Sequence, residues 1–468
     1  MRKTQKGAIT IFVILTIILV ASCLLVLLEG ARGFHLRRLA EYKTVSAIES
    51  AFSNYSFCLW ENYHLLGCDL EQAQSIVEEC ADGGYAKNAI GINLLLLRAR
   101  DVQLEDYTLL TDGEGTEYIK AVASYMKENI LYETAKTIYD QYLSIKEILD
   151  NPFTSGSEID DALKCLEEAG KKARGGKSEN PLETIKRLQK TQLLELVVLD
   201  TTKLSDKESD LSTMVSHREL SQGTQNTVRE IEWSDRVLMQ QYFLTYFADY
   251  TNLKESRGFS YELEYLVGGK GSDIENLREV VNQLLLIREA VNLSYLFSDV
   301  EKLGIAQKVA LTLVGFTANG WIIEGVKLGL IAAWAFGESV LDVRALLQGK
   351  KIPIIKNQAT WTLEIEKLGE IVNSDFVAKE SDMGVSYKTY LGILLLLQKD
   401  KELAQRGMDL QELTMQNTSG GLKMDQLMVR GKVKILYQYA KVFPTLSSNL
   451  KEELWETQIV SEKEYGYY

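Results

Sequence analysis

The residues able to do chemistry in this chain are few and poorly grouped. Gly170-Lys-Lys-Ala-Arg-Gly-Gly-Lys177-Ser178 ends like a phosphate-binding loop, in which backbone N–H groups cradle a polyphosphate and Lys reaches its terminal groups. The first glycine stands one residue too far from Lys177, and a capped helix rather than a strand precedes it. The segment therefore reads as a basic turn between helices. Three histidines exist, His35, His64 and His217. His217-Arg-Glu219 lacks the H-E-x-x-H spacing of a zinc site, and no G-x-S-x-G elbow presents a nucleophile. The 65 acidic residues contain no pair that stands out for glycoside chemistry. No C-x-x-C occurs among Cys23, Cys58, Cys68, Cys80 and Cys165, which removes a zinc ribbon. Cys58 and Cys68 are candidates for a bridge in an exported domain, with buried free thiols as the alternative. Most of the 23 Tyr and six Trp fall at helical or strand spacing, as core residues do. No catalytic residue, metal ligand or cofactor is assigned, and the chain is not expected to be an enzyme.

The positional pattern is far richer. Ala8 to Leu28 is 21 residues without a charge, behind Arg2, Lys3 and Lys6. As a helix it rises about 32 Å, enough to cross a bilayer core of about 30 Å. It is longer than the apolar region of a cleaved signal and lacks an A-x-A-like site, so a retained anchor is expected. The basic flank places the N-terminus in the cytoplasm and the rest outside, in a single-pass cell-membrane topology. With the three leading basic residues set aside, 49 basic face 65 acidic residues, a net charge of −16. That balance argues against a nucleic-acid partner or an anionic-lipid footprint, which call for clustered positive charge.

Helical spacing continues past the span. Leu39, Tyr42, Val45, Ile48, Phe52, Tyr55 and Leu59 form one stripe, so a rod of span and amphipathic stalk is expected to reach Trp60. Its partner is either the protein's own exported domain or a neighbouring subunit. Asp106 to Thr111 reads as a strand and Asp112-Gly113 as a turn. Ser157 and Asn180-Pro181 open two helices, and the polar stretch Asp200 to Thr227 reads as an exposed loop or hinge. Ser272-Asp-Ile-Glu275 and Ser298-Asp-Val-Glu301 are capping boxes. Val309 to Leu347, interrupted by Glu324, Lys327, Glu338 and Asp342, reads as a buried helical hairpin. Trp361 to Ile365 and Val429 to Tyr439 alternate as half-buried strands that could pair. The expected fold is α+β and predominantly helical, with a small antiparallel sheet. The expected divisions are 1–28 as cytoplasmic stub and anchor, 29–150 as stalk and mixed region, 151–227 as helical pair and loop, and 228–468 as helical core.

The start of the chain, basic residues and then Gly7 before the apolar run, resembles a type IV prepilin leader. That resemblance implies cleavage between Gly7 and Ala8, although Phe12 stands where such pilins usually carry Glu. More broadly, KGAITIF…LLEGARGFHLRRLAEYKTVSAIESAFSNY, YLVGGKGSDIENLREVVNQLLLIREAVNLSYL, AAWAFGESVLDVRALLQGKKIPIIK and GVSYKTYLGILLLL resemble an uncharacterised domain family of Gram-positive bacteria. The family accompanies Tad/Flp-type pilus and secretion genes. The N-terminus also resembles TadE/TadG-type pseudopilins, with Glu29 near the end of the apolar helix. The resemblance implies an anchored minor pseudopilin-like or accessory subunit that acts by helix packing. Glu29, Leu39, Tyr42, Val45, Ile48 and Phe52 would carry those contacts, and the bilayer and pilus or secretion subunits would be the partners. An anchored cell-envelope hydrolase and a surface adhesion module are the alternatives.

Overall fold

A computed structural model describes residues 4–82, 97–129, 143, 146–147, 193–198, 204–225, 229–255, 257–372, 376–419, 421–439 and 457–468. The glycine-lysine loop at 170–178, Cys165 and the two helices expected from Ser157 and Asn180 lie outside these residues. The fold is α+β and mostly helical, with one small antiparallel sheet and one long apolar helix near the N-terminus. The chain forms two compact units, each discontinuous in sequence.

The first unit comprises Met1–Ala121, Leu220–Arg229 and Gly421–Tyr468. Helix α1 (Thr4–Ser53) runs unbroken from the apolar segment into the stalk. It stops at Ser53, short of the expected Trp60, and α2 (Phe57–Tyr63) follows separately. Strand β1 (Cys68–Asp69), helix α3 (Leu70–Asp82) and strand β2 (Leu97–Leu109) come next. Helix α4 (Thr116–Asn129) carries the chain onward. Strands β3 (Leu427–Tyr439) and β4 (Thr457–Gly466) complete the sheet.

β3 is central. It pairs antiparallel with β2 from Leu97↔Tyr439 to Leu109↔Met428, and with β4 from Thr457↔Tyr439 to Gly466↔Arg430. β1 meets it at Cys68↔Met428. The alternation of β3 is the expected one: Val429, Gly431, Val433, Ile435, Tyr437 and Tyr439 are buried and the residues between are half-buried. Residues 220–225 are laced to the end of β2. Thr224 N donates to the Tyr107 carbonyl at 2.9 Å and Gly223 N to Asp112 Oδ1 at 2.9 Å. A Cβ on Gly223 would come within 2.5 Å of the Tyr107 carbonyl oxygen, so only glycine fits there.

The second unit comprises Val122–Glu219 and Glu230–Gly420. It is built from α5 (Leu193–Val197), α6 (Trp233–Tyr246), α7 (Glu262–Gly268), α8 (Asp273–Ser298), α9 (Val300–Val314), α10 (Gly320–Leu347), α11 (Tyr387–Leu396) and α12 (Asp400–Ser419). Ser272 caps α8 as expected, its Oγ accepting from Glu275 N. The cap of α9 is Asp299 rather than Ser298, because its carboxylate accepts from both Glu301 N and Lys302 N. α9 and α10 form the expected hairpin. The later part of α10, Gly329–Leu347, is almost wholly buried, whereas the turn between the two helices is exposed.

Two further expectations fail. Trp361 to Ile365 is not a strand and does not pair with β3; it leads into a short 3-10 helix, Ile365–Val372. The N–H groups of Thr362 and Leu363, which a strand would give to a ladder, go instead to the Glu338 carboxylate at 3.0 and 2.7 Å. The polar stretch before Glu219 is pinned rather than free. Ser216 binds Asp409, and Arg218 forms a two-pronged pair with Glu412 at 2.6 and 2.8 Å.

Candidate functional site

In the first unit, α1 is divided by exposure. From Ile9 to Leu28 its large apolar side chains are exposed, and this is the one helix among the described residues long and apolar enough to cross a membrane. Gly7 and Ala8 lie on the same helix near its start. Glu29, the first charge after the apolar run, is paired with Arg32 at 2.8 Å on its own helix. The Arg32 guanidinium in turn lies 5.7 Å from the centre of the Tyr439 ring on β3.

Beyond Arg32 the helix packs on its own sheet. Leu36, Ala40, Thr44, Ala47, Ile48, Ala51 and Phe52 are buried, a stripe at three- and four-residue spacing set against α3 and the strands. This is offset from the expected stripe. Ile48 and Phe52 belong to both, Leu39 and Val45 are only half-buried, and Tyr42 is 71% exposed. Small residues at 40, 47 and 51 let the helix approach the sheet, and a count of large side chains overlooks them. Phe52 sits between Tyr465 and Tyr467, with ring centres 4.9 and 5.0 Å away. The Tyr467 hydroxyl donates to the Phe52 carbonyl.

Of the two readings of Cys58 and Cys68, the structure shows the second: both are buried free thiols. Cys68 lies on β1, its thiol directed to the Met428 carbonyl at 3.5 Å, and burial pushes its pKa up to about 12. Cys58 lies on α2 beside Asn62. Each thiol thus has a separate local neighbour, and a thiol held so far above neutral pH is a poor nucleophile.

The second unit holds a polar constellation that the sequence reading passed over. Arg288 on α8 donates to Asp342 on α10 through Nε at 3.0 Å and Nη2 at 2.8 Å. Its Nη1 donates to the carbonyls of Pro353 and Ile354 and to the Tyr390 hydroxyl. Asn292 bridges Ser339 and Asp342 at 2.9 and 3.0 Å. Lys356 is in contact with Glu338 and lies 2.6 Å from Asp342 Oδ1. All four charged side chains are fully buried, two of each sign. Burial pushes the Glu338 carboxyl up, and the adjoining Lys356 and the Leu363 amide oppose it. Burial also works to raise Asp342, yet Lys356 and Arg288 together hold it below the usual carboxylate range. The signal was in the sequence: Arg288/Asn292 and Glu338/Asp342 are each four residues apart, which puts each pair on one face of an apolar helix. Charges read as interruptions of an apolar run are the groups that join the helices.

A second constellation brings Ser216, His217 and Asp409 together. The Ser216 hydroxyl donates to Asp409 Oδ2 at 2.6 Å and lies 2.8 Å from His217 Nδ1. In a relay the carboxylate would orient the imidazole; here it accepts the serine hydroxyl's hydrogen bond instead. Tyr265 donates to the same carboxylate at 2.8 Å. The arrangement anchors a loop to α12. Among the described residues no group of three or more His, Cys, Asp or Glu is placed to hold a metal ion.

These buried networks fall within the part of the chain that a family model recognises. Residues 171–439, more than half the chain, match a family of unknown function (DUF5702). The chain belongs to that family. The match takes in Arg288, Asn292, Glu338, Asp342 and Lys356, so the DUF5702 region includes the whole ion cluster. The apolar segment and stalk lie before it. No curated protein and no solved structure matches the chain.

Proposed function

We propose that the protein is a membrane-anchored, extracytoplasmic assembly component, a minor pseudopilin-like or accessory subunit of a Tad-type pilus or secretion system. In this reading the N-terminus stays in the cytoplasm, as the leading Arg2, Lys3 and Lys6 favour. The observation that carries the proposal is the division of α1. Its first half presents apolar side chains with no partner from its own unit, and its second half is fixed to its own sheet through Leu36 to Phe52. A helix held rigidly at one end can offer the other to lipid or to sister helices without losing its register. The resemblance of the N-terminal block to pseudopilins supports the choice of machinery, and Gly7-Ala8 is the proposed processing site. Function then rests on packing: the span joins neighbouring spans, and the family domain recruits or displays a partner.

The test is to recover the protein from native membranes, determine its first residue, and place a photo-crosslinking amino acid at Leu28, Phe34 or Tyr42. A start at Ala8 and crosslinks to pilus or secretion subunits are expected. A start at Met1 together with crosslinks to lipid alone would overturn the pseudopilin reading.

A further inference from the structure

The distal end of the α9–α10 hairpin is exposed apolar surface of a particular kind. α9 ends at Val314, Gly315–Thr317 forms a 3-10 turn, Ala318 takes a left-handed conformation at φ 51°, and α10 begins at Gly320. Trp321 is 90% exposed, Phe316 71% and Leu311 47%. A Cβ added at Gly320 would meet nothing within 4 Å, so the tip is open around its turn. From Val309 to Ile323 there is no charged residue. Lys308 stands on one side, and Glu324 paired with Lys327 at 2.9 Å on the other.

Three polar side chains of this tip bond within it. Thr312 donates to the Lys308 carbonyl at 2.9 Å and Thr317 to the Val314 carbonyl at 2.7 Å. The Asn319 side chain accepts from Trp321 N at 3.1 Å, closing the start of α10. Bonds of this kind lower the cost of taking those side chains out of water. Tryptophan is the residue type that partitions to the bilayer interface.

We propose that the α9–α10 tip, Leu311 to Trp321, inserts into the interfacial layer of a lipid bilayer as a second membrane contact. The proposal gains from the anchor reading of α1, since tethering raises the effective concentration of the tip at the membrane. It does not depend on the pilus assignment.

The experiment uses the full chain in vesicles of phosphatidylcholine and phosphatidylglycerol whose acyl chains carry bromine near the headgroup end. Trp321→Phe, at a site open enough to leave the fold alone, is compared with the parent by tryptophan fluorescence. Flotation after alkaline extraction reports α1 separately. The expected result is quenching in the parent, with the quenched share of one tryptophan among the six missing in Trp321→Phe. Quenching in a protein that alkali strips from the vesicles would support the tip and overturn the anchor. Flotation with identical quenching in parent and variant would overturn the tip and leave the anchor standing. A Trp321 signal that ignores bromine but shifts with protein concentration would assign the tip to a second copy of the chain, which also overturns the proposal.

Discussion

Helices α1 and α10 each carry a long apolar run, and the two runs meet opposite fates within their units. Over Ile9–Leu28, α1 carries no charge and leaves Ile, Leu, Val and Phe side chains exposed. Over Gly329–Leu347, α10 is buried although it carries Glu338, Asp342 and Arg344. An apolar helix with no charge has nothing to hold it in a protein interior except shape, and lipid serves it equally well. An apolar helix with charges can be buried only if the interior supplies partners, and those partners then fix its register. Arg288 and Lys356 are the partners of the two carboxylates, and Arg344 donates to the carbonyls of Leu196 and Phe376. The charges in α10 therefore mark a core helix, and the uncharged exposed run of α1 is long and apolar enough to cross a membrane.

The strongest way to break this contrast is to remove Asp342. Asp342→Ala leaves Arg288, Lys356 and Asn292 facing one another without the carboxylate that joins them. Breaking a buried pair from one side typically costs about 3–5 kcal/mol. Thermal unfolding of the purified full chain should show the second unit losing its transition or melting far earlier. Asp342→Asn, which keeps an acceptor and the shape, should lose less. Equal stability of parent and alanine variant would mean that the cluster does not hold α8 and α10 together.

The first unit offers a counterpart in apolar packing. Phe52→Ala empties the space between Tyr465 and Tyr467, and large aromatic truncations in a core cost about 3–5 kcal/mol. The loss should sit near the lower end of that range, because the edge of the sheet can relax around the gap. Amide exchange should rise along β4 and the end of α1, and leave α8 and α10 unchanged.

A pH-dependent difference between the units follows from Glu264. It is buried on α7, accepts from Tyr250 N and the Tyr387 hydroxyl, and burial pushes its pKa up to about 8. A carboxyl whose pKa is higher folded than unfolded binds more protons in the native state between the two values. Stability of the second unit should therefore fall as pH rises from about 4.5 to about 8, and level off above. Glu264→Gln, neutral throughout, should flatten that slope by a few °C of melting temperature across the window. A slope unchanged in the variant would assign the pH dependence to other groups.

Much of this architecture was legible from the residues. The long apolar helix, the capping box at Ser272, the β3 alternation from Val429 to Tyr439 and the helical hairpin all follow from periodicity and local hydrogen bonding, which act over a few residues. What was not legible acts over distance. β3 was matched to Trp361–Ile365 because both alternate. The segment is diverted because Glu338, more than twenty residues earlier, takes the amides of Thr362 and Leu363. The ion cluster was hidden for the same reason, since each charge was visible and its partner lay 54 residues away for Arg288 and Asp342, or 18 for Lys356 and Glu338. The stalk stripe was misplaced by half a face because Ala40, Ala47 and Ala51 are buried as closely as Ile48 and Phe52, and small residues carry little weight in a search for large ones.

That misplacement yields the smallest and most discriminating prediction. Tyr42 and Phe52 sit on one expected stripe, yet Phe52 is buried and Tyr42 is largely exposed. Tyr42→Ala should change the stability of the isolated protein by no more than about 0.5 kcal/mol, the usual range for exposed positions. If the outer face of the stalk meets a neighbouring subunit, the same variant should lower recovery of assembled material from native membranes while leaving the unfolding curve in place. Large aromatic side chains at the centre of an interface commonly carry more than their share of its energy. A variant that both melts and assembles like the parent would leave Tyr42 as a bystander, and the exposed first half of α1 would then be the whole contact surface of that helix.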